Sequence, residues 1–227
     1  MLTQYAQSQL GDREREALYT RGVSDEQISL FRLGYLNLDL PQLEDGGLFT
    51  EKYRGTHWLS DSYVLPLTNT LGQVKGLQLR HVEVSQKGYS HFSPYEDEPV
   101  LFGLAQAVPH AWESKAMHLV EGGFDLFPIQ RVCPNVIATL TNRLTDQVAR
   151  TLRRFVDELW LAYDMDSKGR EAVARVYKQH GRSFEKIHDI RFPRPPTLDG
   201  KARVKDPAEL WEVWGDTRFR DFLQRQQ

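Results

Sequence analysis

Apolar and polar positions along the chain follow one rhythm before about residue 115 and another after it. The first stretch, Asp12-Arg13-Glu14-Arg15-Glu16-Ala17-Leu18-Tyr19-Thr20, predicts a polar helix. A turn at Gly22 follows, and Ser24 with Gln27 three residues on reads as a capping box. Ile28, Phe31 and Arg32 continue that second helix, which is expected to stop near Gly34. Residues 37–62 carry little periodicity and read as loop-rich. Tyr63-Val64-Leu65-Pro66-Leu67 and Val74 to Arg80 alternate as strands and predict a hairpin joined at Asn69 to Gly72. Leu101 to Ala107 reads as a short helix.

From Lys115 onward the pattern becomes βαβα, which predicts a parallel sheet and an α/β class. Leu119 and Val120 begin one strand, Val136 to Leu140 forms the next, and Leu159 to Tyr163 a third. Thr145 caps a helix with Val148, Leu152, Phe155, Val156 and Leu159 at helical spacing. Gly169 opens another, with Ala172, Val173, Val176 and Tyr177 on its buried side. Pro207 to Gln224 predicts a last helix carrying Trp211 and Trp214.

Two of these strands run into acidic residues: Glu121-Gly122-Gly123-Phe124-Asp125 and Asp164-Met165-Asp166-Ser167-Lys168-Gly169. Were the strands parallel neighbours, Glu121, Asp164 and Asp166 would meet at the carboxyl edge, where open α/β sheets hold their chemistry. Carboxylates that close raise one another's pKa unless a cation lies between them. Their hard oxygens select Mg²⁺ or Mn²⁺ rather than zinc. Such a cluster points to phosphate chemistry.

Composition narrows the field. The 227 residues are 40% hydrophobic and 26% charged, as in an ordinary globular protein, with a formal net charge of -2. Any nucleic-acid contact must therefore come from local basic patches. The one cysteine, Cys133, excludes an internal disulfide framework and a multi-Cys zinc site, and reads as a small buried residue. No histidine pair has HxxxH spacing. No apolar run approaches the ~20 residues that span a bilayer, and the first residues lack signal-peptide character, so a cytoplasmic location is expected. Several features have plainer readings. An isolated DxD is most often a solvated turn, Arg143, Arg150, Arg153 and Arg154 form a solvated helix face, and Trp211 and Trp214 are helix packing. The basic stretch 191–205 suits either phosphate contact or a linker.

The acidic segments resemble the EGYxD and DxDxAG motifs of Toprim domains. The rest of the chain is similar to the catalytic core of DnaG-type primases. Ala17 to Ser24, continuing through Phe31 to Tyr35, resembles the opening "YLxxRGLS…FxIGY". Val64 to Leu67 with Gly72 to Arg80 resembles "FPI…GxVxGFGGR", Ser93-Pro94 with Leu101 to Ala107 "NSPET…LYGLxxA", and Lys205-Asp206-Pro207-Ala208-Glu209 "DPDE". The motifs keep family order over roughly residues 17–210. On this reading the family's zinc-binding module and helicase-docking domain are expected to be missing. Tyr89-Ser90-His91-Phe92-Ser93-Pro94 lacks the Lys and Asn of "KYLNSP", Ser60 and Ser62 stand where basic residues are expected, and Ala208 replaces an Asp.

The resemblance implies a Toprim domain at 114–195, its parallel sheet flanked by helices. A smaller α+β subdomain at 1–113 would precede it, and a basic linker and helix at 196–227 would follow. It implies a metal-dependent nucleotidyltransferase making short RNA primers on single-stranded DNA from nucleoside triphosphates. Asp164 and Asp166 would be metal ligands, Glu121 a ligand or the base for the attacking hydroxyl, and Asp125 and Asp206 would complete the metal shell. Arg80, Lys168, Arg194 and Lys205 would contact nucleotide or DNA phosphates. Mg²⁺ or Mn²⁺ is the expected cofactor, and a separate zinc-binding subunit or the replicative helicase the expected protein partner. Two alternatives use the same motifs: a Toprim nuclease, and a non-catalytic single-strand-binding replisome adaptor.

Overall fold

A computed structural model of the protein describes residues 2–37, 61–82, 89–92 and 101–226. Two four-stranded sheets organise it. The first is antiparallel, in the order β1 (Gly34–Leu36), β2 (Ser62–Thr68), β3 (Val74–His81), β4 (Tyr89–Phe92). The second is parallel: β5 (Ala116–Val120), β6 (Val136–Ala138), β7 (Glu158–Leu161) and β8 (Lys186–Asp189) lie in the order β6-β5-β7-β8. Thr68 bridges to Leu101 and Phe102 to Ala138, so two consecutive residues lace one sheet to the other.

The helices are α1 (Leu2–Ser8), α2 (Asp12–Tyr19), α3 (Asp25–Leu30), α4 (Leu104–Ser114), α5 (Leu126–Gln130), α6 (Asp146–Leu152), α7 (Ser167–His180) and α8 (Pro207–Gln224). The Ser24–Gln27 capping box forms in both directions, satisfying two N–H groups left open at the helix start. Thr145 caps α6 by accepting from the Val148 N–H. Gly215 interrupts α8 with φ 71° and ψ 172°, breaking it into two helices.

Side-chain alternation along β5 divides the interior in two. Met117 and Leu119 join Leu104, Leu152, Leu159, Leu161, Ala172 and Val176 on one face of the parallel sheet. Val120 on the other face joins a core drawn from the whole chain, including Leu18, Phe31, Leu65, Phe127, Leu210, Phe219 and Leu223.

Several elements differ from the sequence reading. The helix expected at 101–107 starts only after Gly103, because Leu101 and Phe102 are spent on the inter-sheet bridges, and it runs on to Ser114. The second strand of the parallel sheet stops at Ala138 rather than Leu140, which turns into the left-handed region at φ 61°. The helix expected to open at Gly169 starts at Ser167, since Asp166 caps it. The helix capped by Thr145 ends at Leu152, so Phe155, Val156 and Leu159 lie beyond it. Tyr177, assigned to the buried side, is 42% exposed and donates its hydroxyl to the Ile187 carbonyl oxygen. Helices α1 and α5 and strands β1, β4 and β8 are additional, and the strand read as beginning at Leu119 starts at Ala116 and ends at Val120. Most of the stretch 37–62, and Ser93-Pro94 of the third motif, lie outside the described residues.

Candidate active site

In the parallel sheet the chain leaves β5 to one side for β6 and returns to the other side for β7. That reversal opens a crevice at the carboxyl ends of β5 and β7, the place where doubly wound sheets bind ligands. Glu121 directly follows β5 and Asp164 lies three residues after β7. A cavity of about 510 Å³ opens there, lined by Glu121, Asp125, Asp164 and Asp206, with Arg21 and Arg80 among its other lining residues.

Local sequence fixes each carboxylate. After β5, Gly122 and Gly123 permit a turn that larger residues would block: a Cβ on Gly122 would strike the Asp125 carboxylate, and one on Gly123 the side chains of Leu65 and Gln78. The turn brings Asp125 back to accept from the Gly122 N–H at 3.1 Å. After β7, Asp166 caps α7 by accepting from the Gly169 N–H at 2.9 Å. Gly169 packs against the Asp164 main chain with no room for a side chain. Asp206 arrives from the far end of the chain, capping α8 through the Glu209 N–H at 2.8 Å. The Ala208 N–H then donates to Asp125 Oδ1 at 3.3 Å. The position where the family motif has a second aspartate thus contributes its main chain.

The electrostatics follow from crowding and burial. Burial, then Glu121, Asp206 and Asp166, push the Asp164 carboxyl up to about 7. Asp125, fully enclosed and facing Asp206 and Asp164, lies well above the ordinary aspartate range. Glu121 and Asp206 are raised too, chiefly by burial. Glu121 Oε1 is buried with no hydrogen-bond partner. A concentration of negative charge with an unpartnered oxygen at its centre suits a hard divalent cation. In the rotamers present, Asp125, Asp166 and Asp206 are turned to main-chain N–H groups, and among the described residues no three acidic, His or Cys side chains form a ready-made metal cage.

The basic residues named from the sequence separate. Arg80 on β3 and Lys205 line this cavity, with Lys205 Nζ 3.1 Å from Glu209 Oε1. Lys168 is exposed in the first turn of α7 and does not line it. Arg194 lines a second cavity that shares Asp164. Sequence reasoning missed three charged lining residues, Arg21, Glu209 and Glu212. Arg21 lies over the Phe124 ring at 5.3 Å, and its charge offsets part of the rise that burial gives Asp206 and Glu212. The signal for the two glutamates was their i, i+3 spacing just after the Asp206 N-cap, which directs both toward that residue.

Comparisons with known proteins agree with this fold. Residues 118–201 match the Toprim-like family model. The DNA primase of Treponema pallidum is 28% identical over 234 residues, covering 95% of this chain and 37% of that protein. Against the solved Aquifex aeolicus primase (zinc-binding and RNA polymerase domains), the TM-score is 0.80 at 22% identity, over 99% of this chain and 59% of the other. A DnaG primase catalytic domain bound to single-stranded DNA gives a TM-score of 0.74 at 21% identity, over 99% and 78%. The likeness to DnaG-type primase cores extends along nearly the whole chain, with a mixed α/β fold whose parallel sheet is flanked by helices. The chain spans between about a third and under a half of the curated primases it matches.

Proposed function

We propose that this relative of the DnaG-type primases is a primase catalytic core, a nucleotidyltransferase that makes short RNA primers on single-stranded DNA with Mg²⁺ or Mn²⁺. The carrying observation is that Glu121, Asp125, Asp164 and Asp206 share one cavity with Arg21 and Arg80 at the β5/β7 switch point. The solved relative bound to single-stranded DNA supports the choice of template.

In the reaction a primer 3′-oxygen bonds to the α-phosphorus of an incoming nucleotide, the α–β bond breaks, and pyrophosphate leaves. Asp164, Asp206 and Asp125, with Asp166 two residues beyond Asp164, would hold the divalent ion, which fits a cluster in which burial and neighbouring acidic groups raise Asp125, Asp164 and Asp206. When bound, the ion offsets negative charge on the attacking and leaving oxygens. Glu121, raised by burial and carrying an oxygen without a partner, accepts the proton of the attacking hydroxyl. Arg80 and Arg21 orient phosphate oxygens with their planar forks. Lys205, bound to Glu209, and Lys168 beside the Asp166 cap add positive charge at the margin.

A labelled-nucleotide assay on single-stranded DNA with Mg²⁺ or Mn²⁺ tests this, comparing wild type with Asp164→Ala. Primers from wild type alone support the proposal. A shortened template instead assigns the site to phosphodiester cleavage, and single-strand binding without either product assigns the chain to an adaptor role.

A further inference from the structure

Asp164 belongs to two cavities. Beyond the carboxylate cavity, on the α7/β8 side, lies a second of about 600 Å³ whose lining is mostly apolar. Phe192, Ile190 and Val173 contribute to it, together with Arg170, Arg191 and Arg194. Tyr177, among the larger exposed apolar residues, stands at its side with its hydroxyl tied to the Ile187 carbonyl.

The three arginines are exposed, yet each is anchored through one bond. Arg170 Nη1 donates to the Met165 carbonyl at 2.7 Å, inside the loop that carries Asp164 and Asp166. Arg194 Nε donates to the Val204 carbonyl at 3.1 Å. Arg191 Nε donates to Asp189 Oδ2 at 3.0 Å while 89% of its side chain stays open to solvent. An anchored guanidinium loses less freedom when it binds, and its remaining N–H groups match phosphate oxygens. Three such forks face two aspartates in this lining, Asp164 and Asp189. A row of anchored arginines beside an exposed tyrosine ring, over an apolar floor, is the combination that tracks a single strand: charge for the backbone, a flat face for a base.

We propose that this second cavity is a track for a single-stranded nucleic acid, running its phosphates past Arg191, Arg194 and Arg170 to the carboxylates at Asp164. The track rests on the primase reading and deepens it, because it assigns a strand path on the α7/β8 side of the parallel sheet. Free nucleotide phosphates share the recognising chemistry, and the test separates the two sources.

Binding of a fluorescein-labelled oligonucleotide of about 16 bases is followed by anisotropy in Ca²⁺ across a salt series. Wild type is compared with R170A/R191A and with Y177A, after thermal melts establish that the variants are folded. The track requires R170A/R191A to weaken binding about tenfold and to lower the salt slope by roughly 1.4, the value for two lost single-strand phosphate contacts. Y177A should weaken binding with the slope unchanged. Unchanged affinity and slope in R170A/R191A, with wild-type binding intact, overturns the track and leaves the primase reading standing. A variant that loses affinity for labelled ATP while keeping the oligonucleotide also overturns it, assigning the arginines to free nucleotide. No oligonucleotide binding by wild type overturns the track and the template proposal together.

Discussion

Gly169 packs so closely on the main-chain oxygen of Asp164 that no side chain fits between them. The last position of the Asp164–Gly169 motif therefore acts sterically, letting the start of α7 press against the loop that presents the carboxylates. Gly169→Ala is expected to cost about 2 kcal/mol by overpacking and to displace Asp164. Urea unfolding would report the first effect and divalent-cation titration the second, with weaker binding of Mn²⁺ expected.

Asp164 also sets a pH dependence. Burial and the neighbouring acids hold its folded value at about 7, above the ordinary aspartate range, so folding favours its protonated form. Stability from this group is fully present below about pH 4 and is lost as pH rises through about 7, by at most on the order of 4 kcal/mol. Metal-free protein should melt at lower temperature at about pH 8 than at about pH 5. Asp164→Asn should flatten that fall. Added Mg²⁺ or Mn²⁺ should raise the melting temperature more at the higher pH, and an equal rise at both would count against a carboxylate site.

His118, in the middle of β5, contributes the opposite slope. Burial holds its ring down to about 4, and both ring nitrogens lack hydrogen-bond partners. A depressed folded value means that stability is present above about 6.5 and is lost as pH falls toward 4. His118→Phe keeps a flat ring beside Trp160, whose centroid lies 5.8 Å away. The variant should gain roughly 1 kcal/mol at neutral pH by removing unsatisfied nitrogens, and it should lose the acid-side decline. Melts of the two variants across pH separate the Asp164 and His118 contributions.

Arg21 and Arg80 give the functional counterpart. Replacing either with Ala should raise the KM for nucleotide about tenfold if each supplies a charge-assisted phosphate contact worth roughly 1.5 kcal/mol. Steady-state primer synthesis would measure it. A fall in kcat alone, with KM unchanged, would move these residues from nucleotide binding to a role at the reacting centre.

Trp211 connects both ends of the chain. Its ring closes on Gly22, whose φ of 74° and crowded position exclude a side chain, and Arg131 lies over it at 5.2 Å. Arg131 also donates to the Gly22 carbonyl at 2.6 Å and pairs with Asp216 at 3.1 Å. Trp211→Ala should cost about 3 kcal/mol, read from urea unfolding. The same change should loosen Arg21 and Glu212, which line the cavity that Trp211 supports from behind.

Several elements were legible because their signals are local. The Ser24 box and the Thr145 cap each act within a few residues. The acidic motifs were legible for the same reason, since a strand end, a turn and an N-cap sit together in each. What escaped depends on distant partners. Strand β1 exists because β2 offers it a ladder, and Leu101 and Phe102 are extended because Thr68 and Ala138 hold them. Arg21 enters the cavity through packing on Phe124, a relation that spacing along the chain does not encode. Tyr177 fits a helical stripe by spacing, but the stripe is wider than the face α7 buries.

The order in which the polypeptide emerges from the ribosome gives the shared core a further meaning. Leu18 and Phe31 emerge early, whereas Leu210, Phe219 and Leu223, which pack in the same cluster, emerge about two hundred residues later. Asp206 and the Ala208 N–H that holds Asp125 ride on that late helix. Phe31 can meet Phe102 and Phe127 sooner, but the cluster closes only when the last helix has been made. The acidic centre is likewise unfinished until translation of this region is complete.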